Sequence, residues 1–88
     1  MYKLTIYVTL KRDVLDPQGK AISEAANSLG IKNILDIKQG KYFEVLLKNI
    51  SDKNNAKKIA KNLSEKLLCN EVIEDYTIVT IKKIWMYQ

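Results

Sequence analysis

The sequence predicts an α+β fold of the ferredoxin-like type, in which a four-stranded antiparallel sheet carries two helices on one face. Three observations predict it. Alternating apolar and polar residues indicate strands near both ends of the chain, and two amphipathic segments indicate helices. Between the helices, two apolar segments separated by a glycine indicate a hairpin. The resulting order is β-α-β-β-α-β.

The first strand is predicted over Tyr2–Leu10, where every second residue is apolar and most others are aromatic or β-branched. A loop over 11–15 follows. Asp16 and Pro17 then predict a helix start, because aspartate accepts hydrogen bonds from free backbone N–H groups and proline has no N–H to leave unpaired.

The first helix is predicted to bury a narrow apolar stripe and to end before Gly30, which can adopt a left-handed cap. Its stripe consists of Ile22, Ala25, Ala26 and Leu29. A hairpin is then predicted from strands over 34–38 and 41–47. Gly40 is placed in its tight turn, where a positive φ is required.

A second helix is predicted over 53–68 with a buried apolar stripe, and a last strand is predicted over 72–81. The stripe consists of Ala56, Ile59, Ala60, Leu63 and Leu67. Four lysines at 53, 57, 58 and 61 occupy the other side of this helix. We interpret them as its solvated face, because no aromatic residue lies among them as in a nucleic-acid site.

One face of such a sheet has no helices on it. Bulky residues are available for that face, although the strand pattern leaves open which parity points outward: Tyr7, Tyr42, Leu46, Ile73 and Val79. An open face rich in such side chains favours self-association. We therefore expect a homodimer at least, or a homotetramer.

The composition argues against a self-contained enzyme. The 88 residues include no histidine, one cysteine and one arginine, with a net charge of +5. These counts remove the commonest general base, any multi-cysteine zinc site and most bidentate anion clamps. We expect a single domain over 1–83 and a short tail over 84–88. The lone cysteine and short apolar runs predict a cytoplasmic protein without membrane segments.

Few individual side chains qualify as chemical groups. A capping role explains Asp16 fully, and Cys69 lacks a partner that would lower its pKa. Glu74 and Asp75 are adjacent in a strand, so they point to opposite faces and form no acid–base pair. Gly19, inside the first helical turn, suggests a close backbone approach. We identify no catalytic residues and no metal ligands.

Two other protein classes share this element order. RNA-recognition modules read bases with aromatic residues on the first and third strands, but this third strand lacks their glycines and carries Glu44. A regulatory domain of ACT type would bind a small effector at a dimer interface near the first loop, and the fold alone does not exclude it. The RNA alternative is minor.

Two motifs resemble a known family. Residues 14–19, Val-Leu-Asp-Pro-Gln-Gly, lead into the first helix, which ends in Leu29-Gly30, and Gly40-Lys41 follows at the hairpin. Residues 67–76, Leu-Leu-Cys-Asn-Glu-Val-Ile-Glu-Asp-Tyr, link the second helix to the last strand. Together they resemble PurS, the small subunit of phosphoribosylformylglycinamidine synthase, over about residues 2–81. One departure is Glu71, where that family usually has proline.

The resemblance implies a role in de novo purine biosynthesis. In such systems a synthetase subunit uses ATP and Mg²⁺, and a glutaminase subunit releases ammonia from glutamine. PurS is taken to be non-catalytic, to bind no cofactor itself, to join the two larger subunits and to assist ammonia transfer. PurS proteins form dimers and often tetramers through their sheets.

The resemblance also implies candidate contact residues for partner subunits, in the two motifs and at the hairpin. They are Asp16, Pro17, Gln18, Gly19, Gly40, Lys41, Asn70, Ile73, Glu74 and Tyr76. A helix cap, a helix end and a strand register would explain most of them without any partner. The rival hypothesis is a stand-alone ferredoxin-like homodimer that binds a small effector or RNA.

Overall fold

A computed structural model describes residues 1–85, and the last three positions of the predicted tail over 84–88 lie outside the described residues. The elements are β1 (Tyr2–Leu10), α1 (Pro17–Ser28), β2 (Gly40–Leu47), α2 (Lys53–Leu63), a π-helical turn (Ser64–Leu68) and β3 (Glu74–Lys83). The turn continues α2, so the helix predicted over 53–68 is confirmed. Within the described chain, no helix is long and apolar enough to cross a membrane.

The sheet has three antiparallel strands in the order β2-β1-β3, with β1 in the centre. Ile6 lies opposite Phe43 on one side and Ile78 on the other. Thr5 pairs with Thr80, so the ladder between β1 and β3 contains a bulge near Val79. A bulge on an edge strand interrupts the row of backbone groups that another strand could join.

The core lies between β1 and α2. Leu4, Ile6 and Val8 of β1 are fully buried. Burial of each such side chain contributes about 1.5–3 kcal/mol to the stability of the folded chain. Ala56 and Ala60 of α2 are also fully buried. Because alanine is small, α2 can lie close to the central strand.

The predicted fourth strand is wrong. Residues 31–39, which include the segment predicted at 34–38, have no regular secondary structure and line open grooves together with α1. The predicted turn at Gly40 is wrong as well, because this residue opens β2 opposite Thr9 and has no positive φ. Gly40 instead permits a close strand approach, since a Cβ there would lie 2.7 Å from the carbonyl oxygen of Val8.

The prediction that both helices cover one face of the sheet is also wrong for this chain. The helix α2 packs against β1 and β3, whereas α1 makes no comparable contact with a strand. Only Ala26 of the predicted stripe is buried, while Ile22 and Leu29 are 48% and 79% exposed. The helix ends are as predicted, because Asp16 caps α1 and Gly30 follows its end with φ +82°.

The second face of the sheet is open, as predicted. The rings of Tyr7 and Tyr42 contact each other there in a tilted arrangement, with centroids 5.1 Å apart and an angle of 56° between the rings. The Tyr42 hydroxyl donates to Glu44 at 2.9 Å, and Lys3 lies 3.5 Å from the same carboxylate. These two neighbours lower the pKa of Glu44, the hydrogen bond having the larger effect.

Ser64 gives the first testable prediction. It is fully buried where the π-helical turn begins, and its hydroxyl has no partner among the described residues. Because an unpaired buried hydroxyl is destabilising, we expect Ser64→Ala to raise the free energy of unfolding by about 1 kcal/mol.

Urea denaturation measures this change, with Ser28→Ala as the control for helix propensity on an exposed position. The control is expected to change stability by less than half as much. A loss of stability in Ser64→Ala would show instead that the hydroxyl is paired.

Candidate functional site

The candidate contact residues lie at one end of the sheet, where β1 ends and where β2 and β3 begin. Five of them line one open cleft of about 160 Å³. They are Asp16, Gln18, Gly40, Lys41 and Glu74. The structure therefore brings together residues from the two motifs and from the predicted hairpin, which are separated by up to 58 positions in the sequence.

Asp16 holds two parts of the chain together at this cleft. Its Oδ1 accepts a hydrogen bond from the Gly19 N–H at 2.9 Å, which caps α1. Its Oδ2 accepts from the Gln39 N–H at 2.7 Å, just before β2 begins. Both N–H groups lower the pKa of the Asp16 carboxyl, and the hydrogen bond from Gln39 has the larger effect. We call this pair of hydrogen bonds the Asp16 latch.

Gly19 has the close backbone contact that its position suggested. A Cβ at this position would overlap the carbonyl oxygen of Ile37. Residue 19 therefore has to be glycine for the first turn of α1 to lie against the chain that leads into β2. Pro17, two residues earlier, is exposed at the first position of α1.

Glu74 lies beside the latch and joins three segments. Its Oε1 accepts from the Asn70 N–H at 2.8 Å, and its Oε2 lies 3.5 Å from the Lys41 ammonium. The Glu74 side chain is only 11% exposed, whereas that of Lys41 is 60% exposed. Lys41, one of the candidate contact residues, is therefore paired within its own chain but still reaches solvent.

Asn70 shapes the turn that leads into β3. Its carbonyl oxygen accepts from the N–H groups of Ile73 and Glu74 at 3.0 and 2.7 Å. The predicted last strand, 72–81, thus begins two residues later, at Glu74. Ile73 remains 39% exposed beside this turn, and its carbonyl oxygen accepts from the Lys11 N–H at 2.8 Å.

Tyr76 and Cys69 face inward instead. The Tyr76 hydroxyl donates to Glu65 at 2.6 Å, and this hydrogen bond raises the pKa of Tyr76 to about 12. Burial raises the pKa of the Cys69 thiol, which donates to the Glu74 carbonyl oxygen at 3.4 Å. These hydrogen bonds join the π-helical turn and the residue after it to β3. Cys69 is buried with a raised pKa, in agreement with its predicted lack of a partner that would lower it.

Three partners of this site were not predicted from the sequence. Gln39 acts through its backbone N–H, which leaves no trace in residue type. Glu65 is the partner of Tyr76, and Asp75 is the partner of Lys11. Nothing in the sequence spacing of these charged residues identifies the two pairs. The Lys11–Asp75 ion pair, at 2.9 Å, closes the same end of the sheet.

The fold and the site define the class of protein to which this chain belongs, a small α+β domain with an open three-stranded sheet and a helix that projects from one end of the sheet. A family model described as PurS, phosphoribosylformylglycinamidine (FGAM) synthase, matches residues 3–82. The PurS subunit of Bacillus subtilis is 45% identical over 76 residues, which cover 86% of this chain and 88% of that subunit. The PurS subunit of Mycobacterium leprae is 42% identical over 78 residues, covering 89% and 94%.

Solved structures agree with this match. Methanocaldococcus jannaschii PurS superposes with a TM-score of 0.84 at 34% identity, covering 97% of this chain and 100% of that one. PurLQS of Thermotoga maritima contains a chain that matches with a TM-score of 0.69 at 28% identity, covering 88% and 93%. The chain belongs to the PurS family, whose members are subunits of FGAM synthase, a ligase of purine biosynthesis.

The Asp16 latch gives a prediction about pH. Since the folded-state pKa of Asp16 is lowered, its contribution to stability is present above the unfolded-state pKa of about 4 and is lost as pH falls through the folded value. We expect Asp16→Asn to flatten the loss of stability below about pH 4. Chemical denaturation at a series of pH values measures it.

The control is Asp13→Asn, an exposed carboxylate in the preceding loop. It is expected to keep the acid sensitivity of the unmodified chain. If both variants retain that sensitivity in full, the latch does not contribute to acid stability.

Proposed function

We propose that this chain is a non-catalytic subunit of FGAM synthase that bridges a synthetase subunit and a glutaminase subunit and assists ammonia transfer between them. The family match over residues 3–82 is the observation that carries the proposal. The similarity to a chain of Thermotoga maritima PurLQS supports an assembly of three kinds of subunit.

The chemistry of the sheet end is consistent with a contact surface. Asp16 and Glu74 are engaged by N–H groups of their own chain, and the Cys69 thiol is buried with a raised pKa. Within residues 1–85, no three potential metal-ligating carboxylate or thiol groups cluster. We infer that ATP, Mg²⁺ and glutamine are used on the partner subunits and that this chain binds none of them.

Self-association is part of the proposal. The open sheet face, with Tyr7 and Tyr42 about half exposed, supports a homodimer or homotetramer. We place the complex in the cytoplasm, because an enzyme of purine biosynthesis uses ATP there and the one cysteine carries no disulfide.

The rival hypothesis, a stand-alone ferredoxin-like homodimer that binds a small effector or RNA, is not favoured. Tyr7 and Tyr42 lie side by side on the open face, as aromatic residues do in RNA-recognition modules, but the Glu44 carboxylate beside them would repel phosphate. The cleft at the first loop, where Val14 and Leu15 lie, has about 390 Å³, so its size would admit a small effector. The match to the PurS family over residues 3–82 is the observation that disfavours a stand-alone effector-binding domain.

Reconstitution tests the bridging function. The synthetase and glutaminase subunits of the same organism are mixed with this chain in the presence of glutamine and ADP, and gel filtration detects the complex. We expect all three subunits to elute together and glutamine-dependent turnover to fall at least tenfold when this chain is omitted. Unchanged turnover without it would contradict the proposal.

A charge variant tests whether the sheet end contacts a partner. Gln18 is exposed beside the cleft, so Gln18→Arg adds bulk and charge there without removing a buried group. We expect this variant to weaken the three-subunit complex at least fivefold while its own unfolding midpoint stays unchanged.

Asn62→Arg is the matched control, since it makes the same kind of change on the exposed side of α2. It is expected to assemble as well as the unmodified chain. If both variants assemble normally, the partner surface lies elsewhere on the molecule.

A further inference from the structure

The outer edge of β3 and the start of α2 form an open groove. The sheet order leaves this edge of β3 without a neighbouring strand among residues 1–85. The helix α2 packs against β3, and a groove of about 240 Å³ lies between them. Its lining residues are Lys53, Lys57, Ile78, Val79, Thr80 and Ile81. No described residue of α1 or β2 lines this groove, so we call it the β3-edge groove.

The β3-edge groove is basic. The helix α2 and residues 77–83 together contain six lysines and no acidic residue. The ion pairs in the part of the chain that the structure describes involve other lysines, so Lys53 and Lys57 have no carboxylate partner there. Asp52, the next residue in sequence, caps α2 and accepts from the Asn55 N–H at 2.8 Å. Uncompensated positive charge in a groove attracts an acidic partner.

The spacing of the two lysines fits an extended chain. Lys53 and Lys57 are about one helical turn apart, roughly 6 Å along α2. Alternate residues of an extended chain are roughly 6.6 Å apart and point to the same side. Two acidic side chains at such positions can therefore meet both lysines. Beside them, half-buried Ile78 and Ile81 and the 47% exposed Val79 offer aliphatic surface to apolar residues of the same segment.

A second copy of this chain does not fit the β3-edge groove. Two such edges brought together would place the lysines of both copies side by side, and like charges across an interface are unfavourable. The bulge near Val79 also interrupts the backbone ladder that two β3 strands would need. The charge and the bulge therefore favour a different, acidic chain that is held mainly by its side chains.

Nucleic acid is also polyanionic, but it fits the β3-edge groove less well. Proteins bind single strands by stacking bases on aromatic side chains. The described residues that line this groove are instead lysine, threonine and aliphatic residues. Lysine in addition binds phosphate as a point charge, without the two-pronged geometry of arginine.

We propose that the β3-edge groove binds an extended acidic segment of a partner subunit of FGAM synthase, with two acidic side chains at alternate positions on Lys53 and Lys57. The inference rests on the bridging function proposed above and specifies one of its contact surfaces. It adds the edge of β3 to the end of the sheet around Asp16 as a surface for partner subunits.

Fluorescence anisotropy of a labelled synthetic peptide tests the groove on the full chain alone. Glutamate and valine alternate in this peptide, and glutamine replaces glutamate in the control peptide. We expect the chain to bind the acidic peptide at low salt and the glutamine peptide at least tenfold more weakly. Lys53→Glu combined with Lys57→Glu reverses both charges, so we expect it to weaken binding of the acidic peptide at least tenfold.

The matched control combines Lys48→Glu with Lys58→Glu, which makes the same change in net charge at exposed positions outside the groove. We expect it to keep its affinity for the acidic peptide within threefold. No binding of that peptide to the unmodified chain, or equal losses in both double variants, would overturn the proposal. Tighter binding of a single-stranded RNA with the same charge would overturn it too, because the groove would then be a nucleic-acid site.

Reconstitution with the synthetase and glutaminase subunits tests the partner. We expect the double variant at 53 and 57 to weaken the three-subunit complex at least fivefold while it remains folded, and the control to assemble normally. Normal assembly of both variants would overturn the proposed partner while the bridging function stood. Failure of the unmodified chain to assemble would instead overturn bridging and the partner together.

Discussion

The structure depends on the central position of β1, the only strand of the described sheet that is paired along both edges. Its alternate side chains Leu4, Ile6 and Val8 form the buried layer on which α2 rests. Within the described residues α1 does not pack on β2 to form the second helix-on-sheet layer of a ferredoxin-like fold, and Ile22 and Leu29 of α1 stay exposed.

The end of the sheet links this core to α1. Asp16 ties α1 to the start of β2, and Glu74 ties β2 to the turn before β3 through Lys41 and Asn70. The motifs that resemble PurS therefore have a structural role, because they fix where α1 begins and how the last strand begins. Any partner that binds here contacts a surface whose shape these hydrogen bonds maintain.

Local chemistry made part of this structure predictable from sequence. The cap at Asp16, the left-handed Gly30 and the close approach at Gly19 each depend on a few neighbouring residues, and all three were correctly predicted. The fourth strand over 34–38 was not, because a short apolar run does not by itself distinguish a strand from an irregular segment. The latch partner Gln39 acts through its backbone, so no sequence pattern could reveal it.

Hydrogen–deuterium exchange of the unmodified chain and of Asp16→Asn tests the central claim, that the Asp16 latch holds the first turn of α1 against the start of β2. The account predicts that amides of the first turn of α1 and at the start of β2 exchange at least tenfold faster in Asp16→Asn, while amides of the central strand β1 do not change. Equal exchange in the two chains, or equal acceleration in β1, would contradict it.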